Sequence, residues 1–353
     1  MRIGDRLINQ MNPAYFIADI GANHDGCIDR AKKLIKMCAE SGADAVKFQH
    51  FKAENIVSNY GFENLDRRYL SHQAEWDESV FNVYERAAID ITWDLELKAT
   101  CVENNVEYMT TPYDHHMVDH VDPLVQAYKI GSGDITWTQH LKYIASKHKP
   151  VLLACGAATA DEVYRAVKVI QEVNDEVAVM QCNTNYTGKH SNFDYINLNV
   201  IRTLRCMYPS LIVGLSDHTP GFATALGAVA LGARIIEKHF TDDNSRRGPD
   251  HGFAMEPESW KAMVKATREL ERALGTGVKR VEDNEKETVV IQRRCLRASV
   301  TLRKGEVLTE SGISVLRPCP PGALEPWQLD CYLGKKLTRD VLIGEHLSAS
   351  DFE

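Results

Sequence analysis

The 353-residue chain has no run of about 18 consecutive apolar residues, so a membrane-spanning helix is excluded. Its opening, Met1-Arg2-Ile3-Gly4-Asp5-Arg6, lacks the apolar segment of a secretory signal. Nine cysteines, an odd number, are scattered from Cys27 to Cys331 without a C-x-x-C pair. That is poor material for a disulfide framework or a structural zinc site. Reduced thiols in a cytoplasmic protein are therefore expected. Positive charge is also short: 41 Lys+Arg against 49 Asp+Glu gives −8, which argues against nucleic acid as a partner, and no membrane partner is expected. No Gly-x-Gly-x-x-Gly follows the first strand-like run, which counts against a dinucleotide-binding open sheet.

What the chain does have is a repeated rhythm. Eight short apolar runs recur: 15–20, 43–48, 107–110, 127–130, 150–154, 176–181, 211–215 and 234–237. None alternates cleanly, as suits strands buried on both faces of a parallel sheet. Helix-period segments lie between them at 29–39, 159–170, 193–204, 221–231 and 257–274. Thr159, with Glu162 three residues on, is a candidate N-cap. Eight β-then-α units over some 270 residues predict a (β/α)8 TIM barrel. Residues 55–92 are too long for a loop and rich in aromatics; they are expected to form an excursion over one barrel mouth, with a helix near 78–88. After Gly275 the rhythm ends. The expected organisation is a barrel over 1–280, a linker over 281–292 and a small loop-rich domain over 293–353.

Chemistry in such a barrel gathers at the C-terminal ends of its strands. The polar residues there are Asp19; Lys47 and Gln49; Thr110 and Thr111; Lys129, Ser132 and Asp134; Cys155; Asn183, Asn185 and Tyr186; Ser216, Asp217 and His218; and Glu237, Lys238 and His239. His218 and His239 are 21 residues apart, one βα unit, so two imidazoles on neighbouring strands could share a metal. Each could equally be a satisfied polar residue in a loop. Lys47 and Lys129 end apolar runs and need partners. A bound dianion would serve, with hydroxyls from Thr111, Ser132 and Ser216; so would carboxylates at Asp19 or Glu237, and a Schiff-base lysine is a third option. Asp250, in Arg247-Gly248-Pro249-Asp250-His251, is a candidate for a sugar hydroxyl or a structural turn residue.

The strings FIADIGANHDG (16–26), SGADAVKFQ (41–49), YKIGSGDITW (128–137), GLSDHTPG (214–221), IEKHFT (236–241) and RGPDHGFAMEP (247–257) resemble the sialic acid (nonulosonate) synthases. TLRKGEVLT (301–309), VLRP (315–318) and GKKLTRDVLIGE (334–345) resemble the C-terminal antifreeze-like (SAF) domain of that family. The resemblance implies condensation of phosphoenolpyruvate with an open-chain N-acylhexosamine, such as N-acetylmannosamine, to a nine-carbon 2-keto-3-deoxy acid plus phosphate. It implies that His218 and His239 hold a divalent metal, manganese first, with cobalt, iron, zinc or magnesium as alternatives. It places Asp19 beside the reacting carbons, Lys47, Thr111, Lys129, Ser132 and Ser216 on phosphoenolpyruvate, and Gln49, Asp134, Tyr186 and Asp250 on the sugar. Arg317 would reach the sugar of the partner subunit's barrel in a domain-swapped homodimer.

Four departures from the family pattern stand out. Asp19 and Asp134 occupy positions usually held by Glu, Ala154-Cys155-Gly156-Ala157 replaces S-T-G-M, and Gln181 replaces a histidine. These leave open a synthase with a different or phosphorylated acceptor, or a catalytically silent sugar-phosphate-binding barrel.

Overall fold

The computed structural model describes residues 1–70 and 72–353. The chain forms two compact units, Met1–Gly275 and Thr276–Glu353. In the first, eight parallel strands close into a barrel in chain order. They are Tyr15–Asp19 (β1), Ala45–His50 (β2), Glu107–Pro112 (β3), Tyr128–Ile130 (β4), Val151–Ala154 (β5), Val177–Cys182 (β6), Ile212–Asp217 (β7) and Ile235–His239 (β8). Every strand lies within two residues of its expected place. β8 closes the ring by pairing Ile235 with Tyr15 and His239 with Asp19.

The unbroken apolar runs reflect two cores, one on each face of the sheet. Tyr15, Ile17, Ala45, Met109, Ala127, Leu152, Ala178, Met180, Ile212 and Ile235 fill the barrel interior. Their sequence neighbours Phe16, Val46, Tyr108, Tyr128, Leu153, Val179, Val213 and Ile236 face the helical ring. Each such Val, Ile or Phe contributes about 1.5–3 kcal/mol of burial free energy.

The helices are Ile28–Glu40 (α1), Asp94–Glu103 (α2), His115–Val121 (α3), Thr138–Ala145 (α4), Ala160–Gln171 (α5), Val200–Met207 (α6), Ala223–Ala230 (α7) and Pro257–Leu274 (α8). α1 buries Ala31, Leu34, Ile35 and Cys38, one stripe at helical spacing. α5 opens with the expected capping box between Thr159 and Glu162. The helix expected over 193–204 starts only at Val200. Asn197, at φ +46°, interrupts any earlier start.

Between β2 and α2 the chain makes its excursion through short helices Ala53–Ile56, Asn59–Glu63 and Val80–Ala87. Ser71 lies outside the described residues.

In the second unit, 283–292 is a 3-10 turn and a short helix where a linker was expected. Cys295–Ala298 (β9) pairs antiparallel with Ile313–Leu316 (β10) around a core of Leu296, Leu302, Leu308, Leu324, Leu337, Val341 and Leu347. Among the described residues no helix is long and apolar enough to cross a membrane, and all nine cysteines are free.

Candidate active site

Strand parity decides which strand-end residues meet. Side chains alternate faces, so Asp19 continues the interior column of Tyr15 and Ile17, and Lys47 follows Ala45. Lys129 follows Ala127, and Glu237 follows Ile235, on the same face. These four charged residues thus sit on top of an apolar plug, each no more than 4% exposed. Lys47 Nζ lies 2.7 Å from Asp19 Oδ2 and donates to Thr111 Oγ1 at 3.3 Å. Lys129 Nζ lies 3.3 Å from Glu237 Oε1, which also accepts from Ser216 Oγ at 3.1 Å. The carboxylate partners that the sequence offered as an alternative are therefore present. Burial opposes the Lys47 charge, but Asp19 and Glu237 outweigh it and raise its pKa. An ammonium carries three donors and Lys47 spends two here, so a bound anion can still be reached.

Gln49 donates to Asp19 Oδ2 at 3.2 Å, and His239 Nε2 lies 3.4 Å from the same oxygen. Asp250 Oδ2 accepts from the Ala22 N–H at 2.9 Å and stands 3.9 Å from His239 Nδ1. Gly21 makes that approach possible: at φ +50°, its Cβ would fall 2.4 Å from the Asp250 carboxylate. Burial pushes the Asp250 carboxyl up to about 6, against the Ala22 hydrogen bond and helped by Asp19. Ser132 Oγ accepts from the Gly156 N–H at 3.0 Å.

The His218 and His239 ring centroids lie 5.5 Å apart, with the rings tilted by 42°. His218 Nδ1 is 3.2 Å from the Asn183 carbonyl, which can only accept, so this nitrogen carries a proton; burial opposes the ring's charge, but Cys182 and Asp217 outweigh it and raise the His218 pKa. His239 Nε2 approaches Asp19 within ion-pair distance, and its Nδ1 is a buried atom with no hydrogen-bond partner among the described residues. Burial and the His218 and Lys47 charges hold the His239 pKa well below its usual value, in the neutral form that a metal needs. Two neighbouring imidazoles fit a divalent cation, which His218 can join only by giving up its Nε2 proton. Among the described residues no third His, Cys, Asp or Glu completes a protein cage, so such an ion would keep coordination positions for substrate and water.

A cavity of about 360 Å³ opens above this cluster. Gln49, Ser132, Asp134, Tyr186, His239 and Asp250 line it from the barrel. Tyr186 packs edge-on to His218 at 4.6 Å, and Phe253 packs against both histidines. The excursion supplies Ile56, Gln73, Trp76, Val83, Tyr84 and Ala87, so it does cover the mouth.

Parity also removes some candidates. Asp217 and Lys238 face outward and form a buried pair at 2.6 Å, with Thr219 and Thr224 on the same carboxylate. Gln181 faces outward too, donating to the Ile196 carbonyl at 2.9 Å, so its departure from the family pattern lies off the cavity. Thr110 bonds outward with His50 at 2.6 Å. Arg317 belongs to the second unit, where its side chain is exposed. Tyr113 and Phe253 were not picked out by sequence, and both come from loops. Glu237, named there as a carboxylate partner for a lysine, shares strand parity with His239.

A match to the NeuB family covers residues 34–279, and a match to the SAF domain covers 293–353. The chain is 34% identical over 334 residues to an N,N'-diacetyllegionaminic acid synthase of Campylobacter jejuni, covering 94% of this chain and 97% of that one. It is 31% identical to a pseudaminic acid synthase of the same species, over the whole of both chains. A crystal structure of the N-acetylneuraminic acid synthetase of Leptospira borgpetersenii superposes with a TM-score of 0.71 at 29% identity, covering 82% of this chain and 94% of that one. With its closed barrel, its strand-end cluster and its C-terminal SAF domain, the chain belongs to the NeuB family of sialic-acid-type synthases.

Proposed function

We propose that this enzyme condenses phosphoenolpyruvate with the open-chain aldehyde of an N-acylated hexosamine, releasing phosphate and a 2-keto-3-deoxy nonulosonic acid. The observation that carries the reading is the juxtaposition, in one barrel mouth, of two buried lysines with two neighbouring imidazoles, one of which has a buried nitrogen without a hydrogen-bond partner among the described residues. Lysines suit an anionic donor, and neutral imidazoles suit a cation that activates a carbonyl.

His218 and His239 are the residues that hold the divalent cation, manganese in the first instance; bound there, it supplies Lewis-acid polarisation of the aldehyde oxygen. Lys47 and Lys129, with Thr111, Ser132 and Ser216, bind the carboxylate and phosphate of the donor. This orients its C3 towards the aldehyde carbon. The enol π electrons form the new C–C bond, and the aldehyde oxygen becomes a hydroxyl by taking a proton. Water then adds at C2, and the tetrahedral product expels phosphate by C–O cleavage to leave the ketone. Asp19, tied to Lys47, Gln49 and His239, is placed to take the proton of that water or to orient it. Gln49, Asp134, Tyr186 and Asp250 contact the sugar.

The assembly we propose is a cytoplasmic homodimer in which Arg317 of one copy reaches the acceptor held in its partner's barrel. A planar guanidinium donates to paired oxygens better than an ammonium would.

Phosphate release from phosphoenolpyruvate tests the reading. Release that requires both an N-acylhexosamine and Mn²⁺, stops with EDTA and yields a nine-carbon keto acid by mass spectrometry is the expected result. Phosphoenolpyruvate binding without release for any acceptor would favour a silent sugar-phosphate-binding barrel.

A further inference from the structure

Asp250 belongs to the loop after β8, and a carboxylate held largely out of water would relax outward unless that loop were pinned. The pin is its neighbour. His251 is fully buried, yet it is not among the residues that line the cavity. Its Nδ1 lies 2.7 Å from Oγ1 of Thr241, two residues past the end of β8. Its Nε2 lies 2.9 Å from Oδ1 of Asp25, in the loop that follows β1. A carboxylate can only accept, so Nε2 carries a proton, and the Thr241 hydroxyl can donate to Nδ1. Both ring nitrogens are satisfied within the protein, and the ring bridges the loops that follow the first and last strands of the barrel.

The surroundings fit that bridge closely. Arg246 and Arg30 hold the other Asp25 oxygen, Oδ2, at 2.6 and 3.1 Å, which leaves Oδ1 for the imidazole. Burial opposes the Asp25 charge, but His251, Arg246 and Arg30 outweigh it and keep its pKa below the usual value. Gly248 gives the ring its space, since a Cβ there would fall 2.7 Å from His251 Cδ2. The two loops are thus tied at both ends of one turn, closed by the Asp25 N–H on the Ala22 carbonyl at 3.1 Å. Asp250 accepts from the Ala22 N–H at one end, and His251 meets Asp25 at the other. Between them Asn23, also fully buried, donates to the Phe240 carbonyl at 2.9 Å. Asp250 is left standing over Gly21, 3.9 Å from His239 Nδ1.

We propose that His251 and Asp25 are positioning residues that hold the Asp250 carboxylate where the acceptor binds. This rests on the synthase reading above and adds to it two residues outside the cavity.

The test measures the acceptor and phosphoenolpyruvate KM separately, with Mn²⁺ and the N-acylhexosamine that supports the fastest phosphate release. His251→Phe keeps a ring and removes both hydrogen bonds. It should raise the acceptor KM about tenfold and leave the phosphoenolpyruvate KM within about twofold. His251→Gln, whose amide can again donate to Asp25, should recover most of the loss. With Asp250→Ala already in place, His251→Phe should add less than about twofold, because it acts through Asp250. Asp25→Gly, which suits φ +50° and removes the acceptor of the bond, repeats the test if His251→Phe does not fold. A lower melting temperature with both KM values unchanged overturns this inference and leaves the synthase reading standing. Hydrogen exchange at the Ala22 amide, followed by NMR, needs no turnover. It should speed up at least about tenfold in His251→Phe and return towards the parent rate in His251→Gln. If the parent releases no phosphate with any acceptor, the synthase reading falls and the amide decides the placement of Asp250, with unchanged exchange overturning it.

Discussion

Lys238 Nζ lies 2.6 Å from Asp217 Oδ2, an ion pair almost wholly buried between β7 and β8, one residue out of phase with Ser216 and Glu237. On one face of the two strands the polar residues bind each other and the helical ring; on the other they face the barrel mouth. The same four-residue neighbourhood thus divides into a structural pair and a chemical pair.

That division predicts different fates for neighbouring substitutions. Lys238→Met leaves Asp217 charged and unpaired in the interior, and should cost about 3–5 kcal/mol of stability. Glu237→Gln frees Lys129 from its carboxylate while keeping a similar shape. It should lower kcat at least about tenfold with a smaller loss of stability. Chemical denaturation and phosphate-release kinetics on both variants check this; equal stability losses would show that strand parity does not separate the roles.

His218 and His239 predict a second contrast. Alanine at either position removes one of two candidate ligands. Divalent-cation binding, read by titration calorimetry with Mn²⁺ alone, should weaken at least about tenfold. Cation-dependent phosphate release should fall with it. His50, which bonds Thr110 and Asp94 on the outer face, is the control. His50→Asn should lower the melting temperature and leave Mn²⁺ binding intact.

The barrel was readable because parallel strands buried on both sides produce unbroken apolar runs, and the spacing of one βα unit set His218 beside His239. Parity was harder to read. Asp217, Lys238 and Gln181 carry the residue types of an active site yet face outward, and only a fixed register shows it. α2 escaped notice because its apolar residues do not form one stripe: Leu97 is buried while Leu95 and Val102 are largely exposed. The excursion's place over the mouth was legible from its length and aromatics, but which of its side chains face the cavity was not.

Asp134 carries a pH prediction. Burial pushes its carboxyl up to about 6, partly offset by Lys129, and its Oδ2 has no hydrogen-bond partner among the described residues. The folded protein therefore holds this proton between about pH 4 and 6, where the unfolded chain, with a carboxyl pKa near 3.9, has released it. The folded state binding more protons means that this group's contribution to stability falls as pH rises through that window. Asp134→Asn removes the effect. The variant should match the parent at pH 4 and exceed it by about 1–3 kcal/mol at pH 7. Asp250, also raised to about 6, remains in both proteins, so the difference between them isolates Asp134. Denaturation at the two pH values provides the measurement, and a constant difference would refute the assignment.

Arg317 tests whether the small unit takes part in catalysis. It follows β10 in the VLRP string, is exposed, and makes no hydrogen bond or ion pair with the described residues of its own unit. An arginine that serves its own unit's stability would be expected to have such partners; one that serves a ligand would not. Arg317→Ala should therefore leave the melting temperature within about 2 °C of the parent, since a surface change away from packed features is worth no more than about 0.5 kcal/mol. If Arg317 reaches the acceptor, the same variant should raise the acceptor KM about tenfold or more while the phosphoenolpyruvate KM stays put, because one charge-assisted contact is worth about 1.5–3 kcal/mol. Arg317→Lys keeps the charge but loses the planar pair of donors, so it should recover only part of the loss. Kinetics at fixed saturating phosphoenolpyruvate distinguish the cases: unchanged acceptor KM in both variants would remove the small unit from the active site.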